Sequence, residues 1–462
     1  MFHSGFGYLT EIMKKWSVMK ILSSIFKAFI PICFCLLLTG CSNSRDRHSN
    51  SPDLQVPKID VPIDSPGMSY DVGENTEQES VNTSFRVNVY LENSGSMNGY
   101  VDGGTTDFQH NIFNYLDDVE QWLGSQLNLF FINSRIIPQG NMLDDYINRL
   151  TPSDFRNSGG STATTDIADL FASVLEHSND SIVSILISDC IFSPGNLNNP
   201  SAYLGNQQVK IKRAFEKYLS DNSHHDIAVM VYQMFSDFKG TYYDYLNTPH
   251  SNYQGKRPYY IWVIGHPLKI ASMRLAIPES RFLHKVENFW FISSSPFKVD
   301  KYSILPNPKK GSFNRENNNG MSRMRKDNNG EFMFTIGADL GLLDQLLGKE
   351  YLLETNHYAR IINKQVSDDW YISVTPNTIS NSPATHNISL STQGNLPQGD
   401  FDLAVCRKKP NWADESTDMD DRVLDETNQT KTYGLNVMFD GMVQAFTAKY
   451  GDYYTIMNIK MK

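Results

Sequence analysis

Residues Val87 to Met97 read V-N-V-Y-L-E-N-S-G-S-M. A mostly apolar, alternating run ends in the carboxylate of Glu92, and the hydroxyls of Ser94 and Ser96 follow at once. A buried strand delivers such groups to one point on its carboxyl-terminal edge. Clustered hard oxygens suit a small divalent cation, Mg2+ or Mn2+. Two further segments carry oxygen donors at an element boundary. Gly159-Gly160-Ser161-Thr162-Ala163-Thr164-Thr165-Asp166 sets hydroxyls in a glycine-rich loop ahead of a helix. Ile185-Leu186-Ile187-Ser188-Asp189 ends an apolar strand in an acid.

The elements that must position these groups are legible in the apolar pattern. Phe85 to Leu91, Leu127 to Ile132, Asp226 to Phe235 and Tyr259 to Ile264 read as strands. Ser181 to Ser188 is a nearly continuous β-branched run, as expected of a strand buried on both faces. Asp107 to Leu123 places Phe108, Ile112, Tyr115, Leu116, Val119 and Leu123 near one helical face. Thr165 to His177, Val209 to Leu219 and Leu268 to Ile277 read as further helices. Strands and helices alternating at this spacing predict right-handed crossovers and a doubly wound, mainly parallel sheet. All three donor segments then fall at strand-to-helix loops, where open α/β sheets bind ligands.

The first segment resembles the opening motif of the metal-ion-dependent adhesion site of von Willebrand factor A (vWA) domains, D-x-S-x-S. Ser94 and Ser96 match its hydroxyls, and Glu92 stands where the family has Asp. The resemblance covers roughly residues 85–300. It implies a Rossmann-like α/β fold and a metal site made by Glu92, Ser94, Ser96, Thr165 and Asp189. Thr165 fits the family's loop threonine best, with Thr162 and Thr164 as rivals, and Asp189 fits its second Asp. In the family the first Asp supports the ion, the hydroxyls bind it, and an open position accepts a carboxylate from a protein partner. The longer Glu92 either enters the shell, reaches a water, or displaces the ion and leaves a metal-free scaffold.

Other chemistry has less to stand on. Ser94 lies in no G-x-S-x-G elbow, and neither H-E-x-x-H nor G-x-x-x-x-G-K occurs. His224-His225 precedes a strand in a polar loop. Asp102, Asp107, Asp237 and Asp244 read as solvated loop acids, and Cys190 as a small core residue. The expectation is a binding protein rather than an enzyme. The alternative is a metal-assisted hydrolase using the same acids and hydroxyls, but no general base is evident.

The amino-terminal stretch is an address. Lys14, Lys15, Lys20 and Lys27 precede an apolar run from Ala28 to Leu38, followed by Leu38-Thr39-Gly40-Cys41. This resembles a bacterial lipobox, with residues 1–40 as signal peptide and Cys41 as the lipidated residue. Such a protein is held to a membrane of the bacterial cell envelope by its acyl chains, on the periplasmic or surface side. The formal charge of −10 disfavours nucleic acid. Cys33 and Cys35 leave with the signal, so only Cys190 and Cys406 remain, which excludes a disulfide framework.

Residues 41–84, rich in Ser, Asp, Pro and Asn, read as a disordered tether. Residues 85–304 then form the vWA-like domain, and 305–330 a basic, Asn-rich loop or linker. Residues 331–462 are β-dominated. Seven short runs, Gly434 to Phe439 among them, predict a carboxyl-terminal β-sandwich of immunoglobulin-like kind, with one helix at Leu340 to Leu347.

Overall fold

A seven-stranded sheet is built around the two strands that the apolar pattern marks most strongly. The computed structural model describes residues 85–162, 166–192, 199–221, 226–379 and 382–462. The signal segment 1–40, Cys41, the tether 41–84, Thr164, Thr165 and His224-His225 lie outside them. The sheet comprises β1 (Arg86–Glu92), β2 (Asn128–Ile132), β3 (Ile136–Gly140), β4 (Ile182–Ser188), β5 (Ala228–Tyr243), β6 (Pro249–Gly265) and β7 (Asn288–Ser293), in the order β3-β2-β1-β4-β6-β5-β7. Every residue of β4 is buried, because both faces are covered.

Helices connect the parallel strands. The crossover from β1 to β2 runs through α1 (Asp107–Leu123). Its first turn is fixed by a capping box between Thr106 and Gln109, and it ends at Gly124 in the left-handed conformation. Two single-turn helices, α2 (Leu143–Asn148) and α3 (Pro152–Asn157), precede α4 (Ile167–Glu176). Asp166 caps α4 through the amides of Ala168 and Asp169. Then come α5 (Pro200–Ser220) and α6 (Pro267–Ala276).

Parallel pairing is confined to β1 with β2 and β1 with β4. The remaining neighbours pair antiparallel, so the sheet is mixed. The cause is the long β5–β6 hairpin, whose return strand inserts beside β4. From Ser236 onward β5 pairs only with β6. Since β5 runs in the direction of β4, this two-stranded arm rises from the carboxyl edge of the sheet.

After β7 the chain is mostly antiparallel. A four-stranded sheet contains β8 (Tyr302–Ile304), β11 (Phe332–Ala338), β14 (Tyr371–Pro376) and β15 (His386–Thr392). A six-stranded sheet contains β9 (Ser312–Arg315), β10 (Gly320–Arg325), β12 (Tyr358–Ile362), β13 (Gln365–Val366), β16 (Gly399–Cys406) and β19 (Tyr453–Met461). Rings from the two sheets meet: Phe401 lies 6.0 Å from Phe334 and 5.0 Å from Trp370, which immediately precedes β14. The helices α7 (Gly341–Leu347), α8 (Lys349–Leu353) and α9 (Asn411–Glu415) and the short parallel pair β17 (Thr417–Asp418) and β18 (Thr432–Tyr433) complete this part, with α10 (Leu435–Tyr450).

Two local expectations are corrected. The stretch 305–330 is more than a loop, because it carries β9 and β10, and β10 pairs in parallel with the end of β19. Its polar composition is that of strands with largely exposed side chains. Gly434 to Phe439 begins a helix, not a strand. Leu435, Met438, Phe439, Met442 and Phe446 recur at helical spacing and are fully buried. This helix packs against α5, and Phe439 sits among Trp262, Trp290 and Trp412 at 5.5, 4.9 and 5.1 Å. One apolar core therefore runs from Phe85 to Met461, and all described residues fall in one compact unit.

Candidate functional site

The chain order reverses between β1 and β4: β2 lies on one side of β1 and β4 on the other. Open α/β sheets bind ligands at the carboxyl ends of strands flanking such a point. Glu92, Ser94 and Ser96 follow β1 here, and Asp189 follows β4.

Strand register sets the first contact. Leu91 is level with Ile187, which brings Glu92 beside Ser188. The Ser188 hydroxyl donates to Glu92 Oε2 at 2.5 Å and accepts from the amide of Cys190 at 2.8 Å. Glu92 is 2% exposed and Asp189 1% exposed, so neither is a surface acid. The Ser94 and Ser96 hydroxyls lie 2.9 Å apart. Asp189 Oδ1 accepts from the amide of Ile191 at 3.2 Å, while Oδ2 is buried with no hydrogen-bond partner. Burial pushes the Asp189 carboxyl up; the neighbouring Ser96 hydroxyl, the Ile191 amide and the Arg257 guanidinium pull the other way. Burial likewise pushes the Cys190 thiol up, which removes it as a nucleophile.

The glycine-rich loop is tied into the same place. The amide of Gly95 donates to the carbonyl of Thr162 at 2.8 Å. Asn93 Nδ2 donates to the Phe155 carbonyl and the Ser158 hydroxyl, and its Oδ1 accepts from Asn133. Asn133 in turn donates to the Gly159 carbonyl at 2.9 Å. Gly160 is required here, with φ of +75° and room for a Cβ only 2.0 Å from Asn133 Oδ1. Thus Glu92, Ser94, Ser96, Asp189 and the Thr162 backbone are brought together. Thr165, the expected third contact, is outside the described residues.

The arm roofs this edge. A short 3-10 turn, Gly95–Tyr100, carries the site segment under β5. At Gly99 an added Cβ would lie 2.2 Å from the Phe238 ring. The Tyr100 hydroxyl donates to the Pro258 carbonyl at 2.5 Å. The amides of Asp107 and Phe108 donate to Asp237 Oδ1 and the Ser236 hydroxyl at 3.1 and 2.9 Å. The tip of the arm is shaped by Asp244, read from sequence as a solvated acid. It is 2% exposed and accepts from the amides of Leu246 and Thr248, with His250 Nε2 at 3.1 Å. Three backbone and side-chain donors explain its burial.

Sequence reasoning missed Ser188, Arg257, Tyr242 and Asp421. Ser188 was visible beside Asp189, but only register joins it to Glu92. Arg257 is 1% exposed, lies over the Tyr242 ring at 4.6 Å, and donates to the Gln429 carbonyl at 2.8 Å. Nothing in the local pattern of β6 marks it.

A hard cation is compatible with part of this donor set. The buried Asp189 carboxyl has the Ser96 hydroxyl beside it, and the Ser94 hydroxyl lies 2.9 Å from that of Ser96. Glu92 is engaged by Ser188. Among the described residues no group of three or more His, Cys, Asp and Glu side chains could hold a metal. Any cation here would rest on one carboxylate and hydroxyls, as the adhesion-site resemblance implies. No helix among the described residues is long and apolar enough to cross a membrane. The chain matches no known family model, no curated protein and no solved structure.

Proposed function

We propose that this chain is a lipid-anchored envelope protein, with Cys41 as the anchor, whose vWA-like sheet binds a protein partner through a divalent cation. In this reading Ser94, Ser96 and Asp189 hold Mg2+ or Mn2+, and Thr165 completes the set. Glu92, fixed by Ser188, supports the site from the end of β1. The β-rich segment 331–462 is a sandwich that buttresses the binding sheet. The reading is carried by one observation: the buried Asp189 carboxyl sits beside the Ser96 hydroxyl, itself 2.9 Å from that of Ser94, at the switch point of the sheet. When bound, the ion would supply a positive charge that a partner's carboxylate can meet. The protein's own part is to orient the hydroxyls and to hold the Asp189 carboxyl buried beside them.

Thermal unfolding with and without Mn2+ tests the reading, since a ligand bound only to the folded state stabilises it. At about 100 times the dissociation constant the gain is about 2.7 kcal/mol. Asp189→Ala should abolish the upward shift in midpoint, and Glu92→Asp should retain or enlarge it. A shift in Glu92→Asp alone would show that Glu92 excludes the ion. No shift in either protein at millimolar Mn2+ removes the cation from the proposal.

A further inference from the structure

Of the groups named above, Glu92, Ser94 and Asp189 are each 5% exposed or less, and Ser96 is half-buried. The β5–β6 arm packs on the Gly95–Tyr100 turn that carries Ser96. What holds the arm down is a second segment, the loop between β17 and β18. Its two ends are clipped together by the Thr417–Thr432 and Asp418–Tyr433 pairs. Residues 417–433 run over the arm as a strap with four anchors, at Asp421, Gln429, Thr432 and Tyr433. Asp421 accepts from the Tyr242 hydroxyl and from the Tyr245 amide, the latter at 2.9 Å. The Gln429 carbonyl accepts from Arg257 Nη1 at 2.8 Å. The Thr432 and Tyr260 hydroxyls lie 3.0 Å apart. Tyr433 stacks on Tyr245 with ring centroids 4.8 Å apart.

Asp421, Thr432 and Tyr433 are buried and Gln429 is half-buried, but most of the rest of the strap is exposed. Met419 is 57% exposed and Val423 69% exposed, and most of the loop's remaining hydrogen bonds are local turns of its own. An element with few apolar contacts and a handful of polar anchors belongs to the low-stability end of a structure, from which lids are drawn. The central strands β1 and β4 are buried almost throughout and do not share that weakness.

We infer that residues 417–433 are an autoinhibitory strap that clamps the β5–β6 arm over the carboxyl-edge site. The strap must release before a partner engages. This takes the binding site from the proposed function, but the closure itself is testable without any ligand. The structure supplies a reporter. Cys190 follows Asp189 directly and is 0% exposed. Its sulfur accepts from the Trp262 indole at 3.3 Å, and Trp262 neighbours Tyr260, which the strap holds through Thr432. Cys406 is buried in β16, away from these contacts, and serves as an internal reference.

The experiment is thiol alkylation of the metal-free, full-length protein, with Cys190 and Cys406 quantified separately by peptide mass spectrometry. Tyr245→Ala removes the stack, and Tyr242→Phe removes one hydrogen bond to the strap. Each should speed Cys190 modification at least tenfold and leave Cys406 unchanged. A core variant, Phe439→Ala, should speed both thiols together, because it lowers global stability. If the two strap variants also speed both thiols equally, or leave Cys190 at the wild-type rate, the strap is not a lid. A second arm separates this inference from the one it rests on. Selective opening at Cys190 with no Mn2+-dependent shift in midpoint keeps the strap and discards the cation. A Mn2+ shift with no selective opening does the reverse.

Discussion

Asp421 offers a sharp test of how the strap is held. It is 1% exposed, and burial pushes its carboxyl up from 3.8 to about 6. The Tyr242 hydroxyl, the Tyr245 amide and the Arg257 guanidinium oppose that rise, and Asp244 adds to it. A displacement from 3.8 to about 6 is worth about 3 kcal/mol between the protonation states. The sign follows from proton counting. Between these two values the folded state binds more protons at Asp421 than the unfolded chain, so stability falls as pH rises. The contribution is fully present below about pH 4 and is lost as pH passes about 6. Asp421→Asn cannot ionise; its Oδ1 still accepts from the Tyr245 amide, and its Nδ2 donates to the Tyr242 oxygen in place of the acceptor that is lost. The stability of wild type minus that of Asp421→Asn should therefore decline by about 3 kcal/mol from pH 3.5 to pH 7. Urea unfolding followed by tryptophan fluorescence measures both proteins at each pH. Taking the difference cancels the other titrating groups, Asp189 included. A flat difference would show that Asp421 is not ionised in a buried place, and a rising one would reverse the assigned cause.

Two further outcomes follow from the packing. Gly160→Ala forces a side chain onto a φ of +75° and against Asn133 Oδ1; it should cost about 1–3 kcal/mol, read as a lower midpoint of thermal unfolding. Phe439→Ala empties a fully buried position among three tryptophans; it should cost about 3–5 kcal/mol in urea unfolding, and a cost below 1 kcal/mol would mean that α10 is not part of the sheet's core.

Much of the site was legible from sequence because its strands are of the simplest kind. A strand buried on both faces needs apolar residues throughout, and Ile182 to Ser188 announces itself that way. Once β1 and β4 are read as such strands, Glu92, Ser94, Ser96 and Asp189 must lie near their ends. The helical faces of α1 and α4 follow from the spacing of their apolar residues. Where the local pattern was ambiguous, the reading failed. Leu435 to Phe439 is a short apolar run that suits a strand or a helix, and the fold chose a helix because α5 and three tryptophans needed a broad apolar face.

Pairing and closure were decided by the tertiary structure alone. No local feature says that β6 inserts beside β4, that Ser188 meets Glu92, or that Arg257 is buried under a loop more than 170 residues further on. Register and long-range hydrogen bonds satisfy polar groups wherever burial has put them. They depend on which surfaces meet, not on the order of residues within one element. The sequence by itself determined which groups stand at the carboxyl edge. Whether that edge is open or roofed was settled by the hairpin and the strap, and nothing in either sequence says what it covers.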